Sequence, residues 1–198
     1  MALQLVDRKD ELQALNNLFS RKRAALVLLY GRRRVGKTRL VQEFMKEKRS
    51  IYFYVPNAEE KTILAEFSRA VQGEFFEGFR FLGFDSFLEY LVGRCGNGIV
   101  VAVDEFQRLT NIGGAVSLLQ KCWDERLSKA RCFLILCGSS VGAVRRVALT
   151  GDAPLYGRRT GQWRIDPMTF ELAGKFREGK TFEDKLFHFS LAGGVPAY

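Results

Sequence analysis

Among its 198 residues the chain has one histidine, His188, and no Cys-x-x-Cys pair. That leaves no ligand set for a structural zinc site. Its four cysteines, Cys95, Cys122, Cys132 and Cys137, are scattered through apolar segments. This is the pattern of reduced core thiols in a cytoplasmic protein. The longest apolar stretch, Ala24–Tyr30, is far short of the roughly 20 residues that cross a bilayer, so no membrane span is expected. No apolar run follows a basic start, so no signal peptide is expected. Prolines number only four, and no Ser/Gln/Gly tract occurs, so there is no low-complexity linker.

What remains is ordinary globular composition, 47% hydrophobic and 27% charged. The length suits one domain, or at most one and a half. A chain of this size buries about 70% of its unfolded surface and needs no staple. The charge balance is less ordinary. Lys plus Arg is 31 and Asp plus Glu is 22, a net charge of +9. Residues 21–49 hold 11 basic and 2 acidic side chains, and the other residues cancel. A local excess of this kind implies a local anionic partner such as phosphate, nucleic acid or acidic lipid.

Hydrophobic periodicity places the elements. Leu12, Leu15, Leu18 and Phe19 recur at helical spacing, with Asp7 and Asp10 suited to the helix start. Ala24–Tyr30 is continuous rather than alternating, as strands covered on both faces are. Helices are expected over Arg39–Lys48, Glu59–Phe76, Phe84–Arg94, Ala115–Leu127, Val141–Ala148 and Glu183–Leu191. Further strands are expected over Ser50–Val55, Gly98–Val103, Arg131–Cys137 and Gln162–Ile165. Strands alternating with helices predict an α/β fold, a parallel sheet with helices on both faces.

Gly31-Arg32-Arg33-Arg34-Val35-Gly36-Lys37-Thr38 fits G-x-x-x-x-G-K-[ST] without a departure. A buried strand precedes it and an amphipathic helix, opening at Arg39, follows it. Glycines let backbone N–H groups curl around phosphate oxygens, and the helix N-terminus adds a positive dipole. Lys37 is placed for the β- and γ-phosphates, and Thr38 for Mg²⁺. Ile99–Val103 is the matching apolar strand, and it delivers Asp104-Glu105 at its end. Asp104 would hold Mg²⁺, and Glu105 would polarise an attacking water; a surface helix cap is the alternative for Glu105. A carboxylate pair of this kind favours the additional-strand, catalytic-glutamate class of P-loop NTPases. In that class another strand lies in space between the two motif strands.

Four other features carry two readings each. Ser139, at the end of the fourth strand, is either a polar sensor of the γ-phosphate or a cap of the next helix. Arg158 and Arg159, on a glycine-bounded turn, are either phosphate-reaching arginines or solvated loop charges. Arg32, Arg33 and Arg34 either meet a second anion or partner, or are solvated. Phe75, Phe76, Phe79, Phe81, Phe84 and Phe87 either fill the core or stack bases.

Taken together, several segments resemble the archaeal-type ATPase family, a P-loop group related to STAND and AAA+ ATPases. The matching segments are Val6-Asp7-Arg8 with Glu11-Leu12, Tyr30–Thr38, Val103-Asp104-Glu105-Phe106-Gln107 and Cys137-Gly138-Ser139-Ser140. Pro154–Gly161 and Gly193-Gly194-Val195-Pro196-Ala197-Tyr198 complete them. The last two are the narrower signals. The resemblance implies a three-layer sandwich around a mostly parallel five-stranded sheet, binding ATP and Mg²⁺ and hydrolysing ATP. It places Val6 and Arg8 near the adenine and adds Arg39 to the loop residues that hold nucleotide. It implies a core over residues 1–172 and the start of a helical lid over 173–198. Relatives usually continue into a winged-helix region and a further domain, through which DNA or a protein would be bound, and a homo-oligomer is expected. The competing reading is a slow-turnover, nucleotide-gated regulatory or DNA-associated module.

Overall fold

Strand β1, Ala25–Tyr30, is buried along its length, and its side chains divide between two cores. Ala25, Val27 and Leu29 face one side of the sheet, where Leu15 and Leu18 of helix α1 (Lys9–Ser20) and Leu40, Val41 and Phe44 of α2 (Lys37–Met45) cover them. Leu26 and Leu28 face the other side. There α3 (Glu60–Ala70), α4 (Phe84–Cys95) and α5 (Ala115–Glu125) supply the cover. Double burial explains why the strand reads as an unbroken apolar run.

The structure is a computed structural model, and it describes residues 8–75, 77–96, 98–175 and 180–195. Val6, Asp7 and Phe76, and the Pro196-Ala197-Tyr198 end, lie outside the described residues. The other strands are β2 (Ser50–Tyr54), β3 (Val100–Asp104), β4 (Phe133–Gly138) and β5 (Gly161–Arg164). Their order is β2-β3-β4-β1-β5, and every pairing is parallel. The strand between the two motif strands in space is thus β4. The strand between them in sequence, β2, lies at the edge.

Register brings the strand ends level. Tyr30 pairs with Gly138 and Arg164, and Asp104 pairs with Tyr54 and Cys137. The chemistry-bearing residues therefore gather at the C-terminal edge of the sheet, where ligands of open α/β sheets bind. After β4, α6 (Val141–Val144) widens into a π-turn over Arg145–Leu149. Helices α7 (Phe170–Gly174) and α8 (Phe182–Ala192) follow β5. Phe170 packs edge-on against Phe182 and Phe189 of α8.

Two sequence expectations change. The cysteines are not all scattered in space: Cys95 and Cys132 meet, with Cα atoms 4.6 Å apart. The end of α4 comes to rest beside the entry of β4, a meeting invisible across 37 positions of sequence. Cys122 and Cys137 are free and buried. The basic excess of residues 21–49 is not one patch either. The arginines of the glycine loop lie at the C-terminal edge of the sheet, whereas Arg21–Arg23 precede β1 and Lys46–Arg49 precede β2 at the opposite edge. A reversal of chain direction between β1 and α2 separates them.

The phenylalanines mostly fill the core. Phe81, Phe84 and Phe87 are buried with Phe53 and Phe67, ring against ring at 4.5–5.6 Å. Phe75 and Phe79 stack on each other at 3.9 Å nearer the surface.

Candidate functional site

The loop between β1 and α2 needs backbone that most side chains disfavour. Gly31 has φ +154° and Gly36 φ +99°, and Arg34 takes a left-handed φ of +66°. A Cβ on Gly31 would stand 2.1 Å from the Ile165 carbonyl oxygen. That contact lets the loop start against the strand-end backbone after β5. Val35 is buried in the core beneath the loop, anchoring it, while Arg32, Arg33 and Arg34 are exposed. Helix α2 opens at Lys37, so its first amides and its dipole point at the loop's hollow.

Lys37 is buried, and its ammonium donates to the carbonyls of Gly31 (2.9 Å) and Arg32 (2.7 Å). Burial lowers its pKa from the usual lysine value, and the nearby Asp104 carboxylate opposes the shift. The Thr38 hydroxyl donates to Asp104 Oδ2 at 2.7 Å. A second hydroxyl, that of Tyr52 on β2, donates to the same oxygen at 2.6 Å. Burial, together with the Asp104 carboxylate, pushes the Tyr52 phenol far above its usual pKa, so it remains a donor. Burial and Asp104 likewise hold the Cys137 thiol well above its usual value, as a neutral core group.

Glu105 has φ +58° and ψ +33°, a conformation that costs a non-glycine residue about 1–3 kcal/mol. It turns the chain sharply after Asp104 and sets the Glu105 carboxylate against the end of β4. Glu105 Oε2 accepts from Ser139 Oγ (2.8 Å) and Gln107 Nε2 (2.6 Å), and Arg108 lies 3.6 Å away. Arg108 also donates to the Tyr54 hydroxyl and the Val55 carbonyl at the end of β2. Ser139 thus bonds Glu105, and α6 begins after Ser140 with no side-chain cap.

These groups surround a cleft of about 450 Å³. Arg33, Arg34, Gly36, Lys37, Thr38 and Arg39 line it from the loop side; Asp104, Glu105 and Ser139 line it from the strand ends. The donor set suits Mg²⁺, a hard cation bound through one or two oxygen side chains plus substrate phosphates. Thr38 and Asp104 offer a hydroxyl and a carboxylate within 2.7 Å of each other.

Other residues singled out in the sequence lie elsewhere. Arg8 is buried, and its guanidinium bonds Glu11, the Val35 carbonyl and the Asp166 carbonyl. It ties the start of α1, the glycine loop and the segment after β5 together. Arg158 makes a bidentate pair with Asp124 of α5 and also donates to the Pro154 carbonyl. Arg159 bonds Gln162. Neither arginine lines the cleft. Conversely, sequence reasoning assigned no role to Tyr52, Gln107 or Arg108. Strand alternation was the available signal for Tyr52: Ile51 and Phe53 face one core, which leaves Tyr52 on the α2 side.

A glycine loop opening a helix, two carboxylates at the end of the strand next but one in the sheet, and an added strand between the two motif strands define a P-loop NTPase of the additional-strand class. Within that class the chain belongs to the family of ATPase domains predominantly from Archaea, whose pattern matches residues 5–198. Among curated relatives, the uncharacterized protein MJECL04 of Methanocaldococcus jannaschii is 27% identical over 194 residues. That alignment covers 98% of this chain and 43% of the relative. The uncharacterized ATP-binding protein MJ0423 of the same organism is 45% identical over 47 residues, 24% of this chain and 80% of the relative. Among solved structures, the Walker-type ATPase PABY2304 of Pyrococcus abyssi matches with a TM-score of 0.70 at 21% identity. It covers 98% of this chain and 65% of its own. The Aeropyrum pernix ORC2 protein, in its ADPNP–ADP complexes, matches at 0.62 and 19%, over 89% of this chain and 51% of its own. The chain thus spans 43% of the first curated relative and 65% of the first solved structure. No helix among the described residues is long and apolar enough to cross a membrane.

Proposed function

We propose that the chain binds ATP with Mg²⁺ in this cleft and hydrolyses the bond between the β- and γ-phosphates, and that hydrolysis drives a conformational switch. Lys37 and the α2 N-terminus hold the phosphates. Thr38 and Asp104 hold the cation, which when bound neutralises phosphate charge. Glu105 accepts a proton from the attacking water, and Ser139 orients Glu105. The observation that carries the reading is the Glu105 carboxylate, turned by a left-handed backbone to the mouth of the cleft beside Asp104.

Glu105→Gln tests it. The amide keeps the size and accepts no proton. Nucleotide affinity stays at the parent level, and turnover falls by on the order of 10²-fold or more. Equal losses of binding and turnover would reduce Glu105 to a structural residue. The slower, nucleotide-gated module is the second reading: Glu105 Oε2 is held by both Gln107 and Ser139, which fixes the carboxylate in one position. Steady-state turnover compared with nucleotide retained after purification separates the two.

A further inference from the structure

The edge of the sheet opposite the cleft carries a second cationic surface. Ala25, Ser50 and Phe133 begin β1, β2 and β4, and the register sets all three at one level with Val100. The segments entering these strands are basic. Arg21, Lys22 and Arg23 lead into β1, Arg49 into β2, and Lys129 and Arg131 into β4. All six are exposed, and none has an acidic partner among the described residues. Lys22, Arg23 and Arg131 meet around one small groove with Gly98. Glu47 is the one acidic residue in these three entry segments. Helix α2 spans the domain between this surface and the glycine loop, so nucleotide held in the cleft does not neutralise it.

We propose that this edge binds double-stranded DNA through the phosphate backbone, without reading sequence. A self-repelling cationic cluster, in which Glu47 is the one acidic residue, is matched by a polyanion. Membranes and protein faces are argued against by what the cluster lacks. None of the exposed large apolar side chains, such as Leu82, Leu118 or Phe187, lies in these entry segments. A membrane surface would use apolar anchors, and a protein partner would need buried aromatic or aliphatic hot spots. Single strands would need exposed stacking rings; the two rings lining the small groove, Phe19 and Phe133, are packed on each other and on Phe44, and Phe133 is buried. From β2 to β1 is three strand spacings, about 14 Å. That compares with the ~12 Å width of a B-form major groove, whose two phosphate walls such a strip can touch.

The test is fluorescence anisotropy with a labelled 20-base-pair DNA of mixed sequence, without nucleotide, from 50 to 200 mM salt. The expected parent affinity is micromolar, with a slope of log K against log salt near about −5 for six contacts. The triple variant Arg23→Ala/Arg49→Ala/Arg131→Ala loses on the order of 10²-fold in affinity and about 3 units of slope. The matching Arg→Lys triple variant keeps both, which excludes a folding defect. ATP turnover, where the parent shows it, is unchanged in both variants, so failure here is separable from failure at the cleft. Parent-level binding and slope in the alanine triple variant would overturn the proposal. So would equal affinity for single-stranded DNA, duplex RNA, poly-glutamate or anionic vesicles, or no binding at all.

Discussion

Two hydroxyls converge on one oxygen of Asp104. Thr38 comes from the helix that follows the glycine loop, and Tyr52 comes from the edge strand β2, which pairs directly with the β3 strand that carries Asp104. The Thr38 bond is of the kind a metal displaces. The Tyr52 bond comes from the paired strand β2 and holds the carboxylate in place. Tyr52→Phe keeps the ring in the α2-side core and removes that hold. Outer-shell partners of metal ligands are commonly worth 10–100-fold in affinity. Mn²⁺ binding in the presence of a non-hydrolysable ATP analogue, followed by electron paramagnetic resonance, is expected to weaken by about 10-fold. The melting temperature should move by only a few degrees. Unchanged Mn²⁺ affinity would leave Tyr52 a packing residue.

At the scale of elements, the site depends on how β1 and β5 end. Tyr30 and Arg164 are in register, and the Ile165 amide donates to the Tyr30 carbonyl at 2.7 Å. Gly31 follows at once, with no room for a Cβ beside the Ile165 carbonyl. Gly31→Ala therefore moves either the loop or the strand end. A strained φ and a backbone clash together cost about 3 kcal/mol. For a domain of this size the melting temperature should fall by roughly 6–12 °C. Gly36, where a Cβ meets nothing within 4 Å, is limited by its φ alone and should be the milder alanine substitution for stability. Equal melting temperatures for the two variants would show that the loop relaxes away from β5 without cost.

At the scale of the molecule, nucleotide binding is linked to folding. A ligand at 100 times its Kd stabilises the folded state by about 2.7 kcal/mol. Mg·ATP should then raise the melting temperature by roughly 5–10 °C. Lys37→Ala removes the charge that meets the phosphates and should abolish that rise while leaving the nucleotide-free protein folded. A Lys37→Ala protein stabilised as much as the parent would remove the cleft from nucleotide binding. The arginines after α6 belong to this scale too. Arg158 is held on α5 by Asp124, outside its own cleft. We propose that Arg158 or Arg159 serves the cleft of a second copy. Turnover should then recover when Arg158→Ala or Arg159→Ala protein is mixed with Lys37→Ala protein, above the sum of the separate variants. No recovery at any mixing ratio would exclude action between copies.

Periodicity and spacing were enough to locate the five strands, most of their helical partners and the motif residues that line the cleft, Arg39 being added by the family resemblance. Continuous apolar runs such as Ala24–Tyr30 and Ile99–Val103 announce doubly covered strands, and the residues at their ends are read directly from the chain. The glycine loop, Lys37, Thr38, Asp104, Glu105 and Ser139 were all legible for that reason, since each stands next to a strand or helix end. The tertiary structure alone decided what crosses between elements. Spatial strand order placed β4 between the motif strands and brought Tyr52 from the sheet edge to Asp104. Packing brought Cys95 beside Cys132 and held Arg158 on Asp124. The reversal from β1 into α2 divided one basic stretch between opposite edges of the sheet. Local patterns record which face of an element is buried, because burial acts residue by residue along the chain. They do not record which distant element covers that face, because any apolar surface of suitable shape satisfies the same pattern.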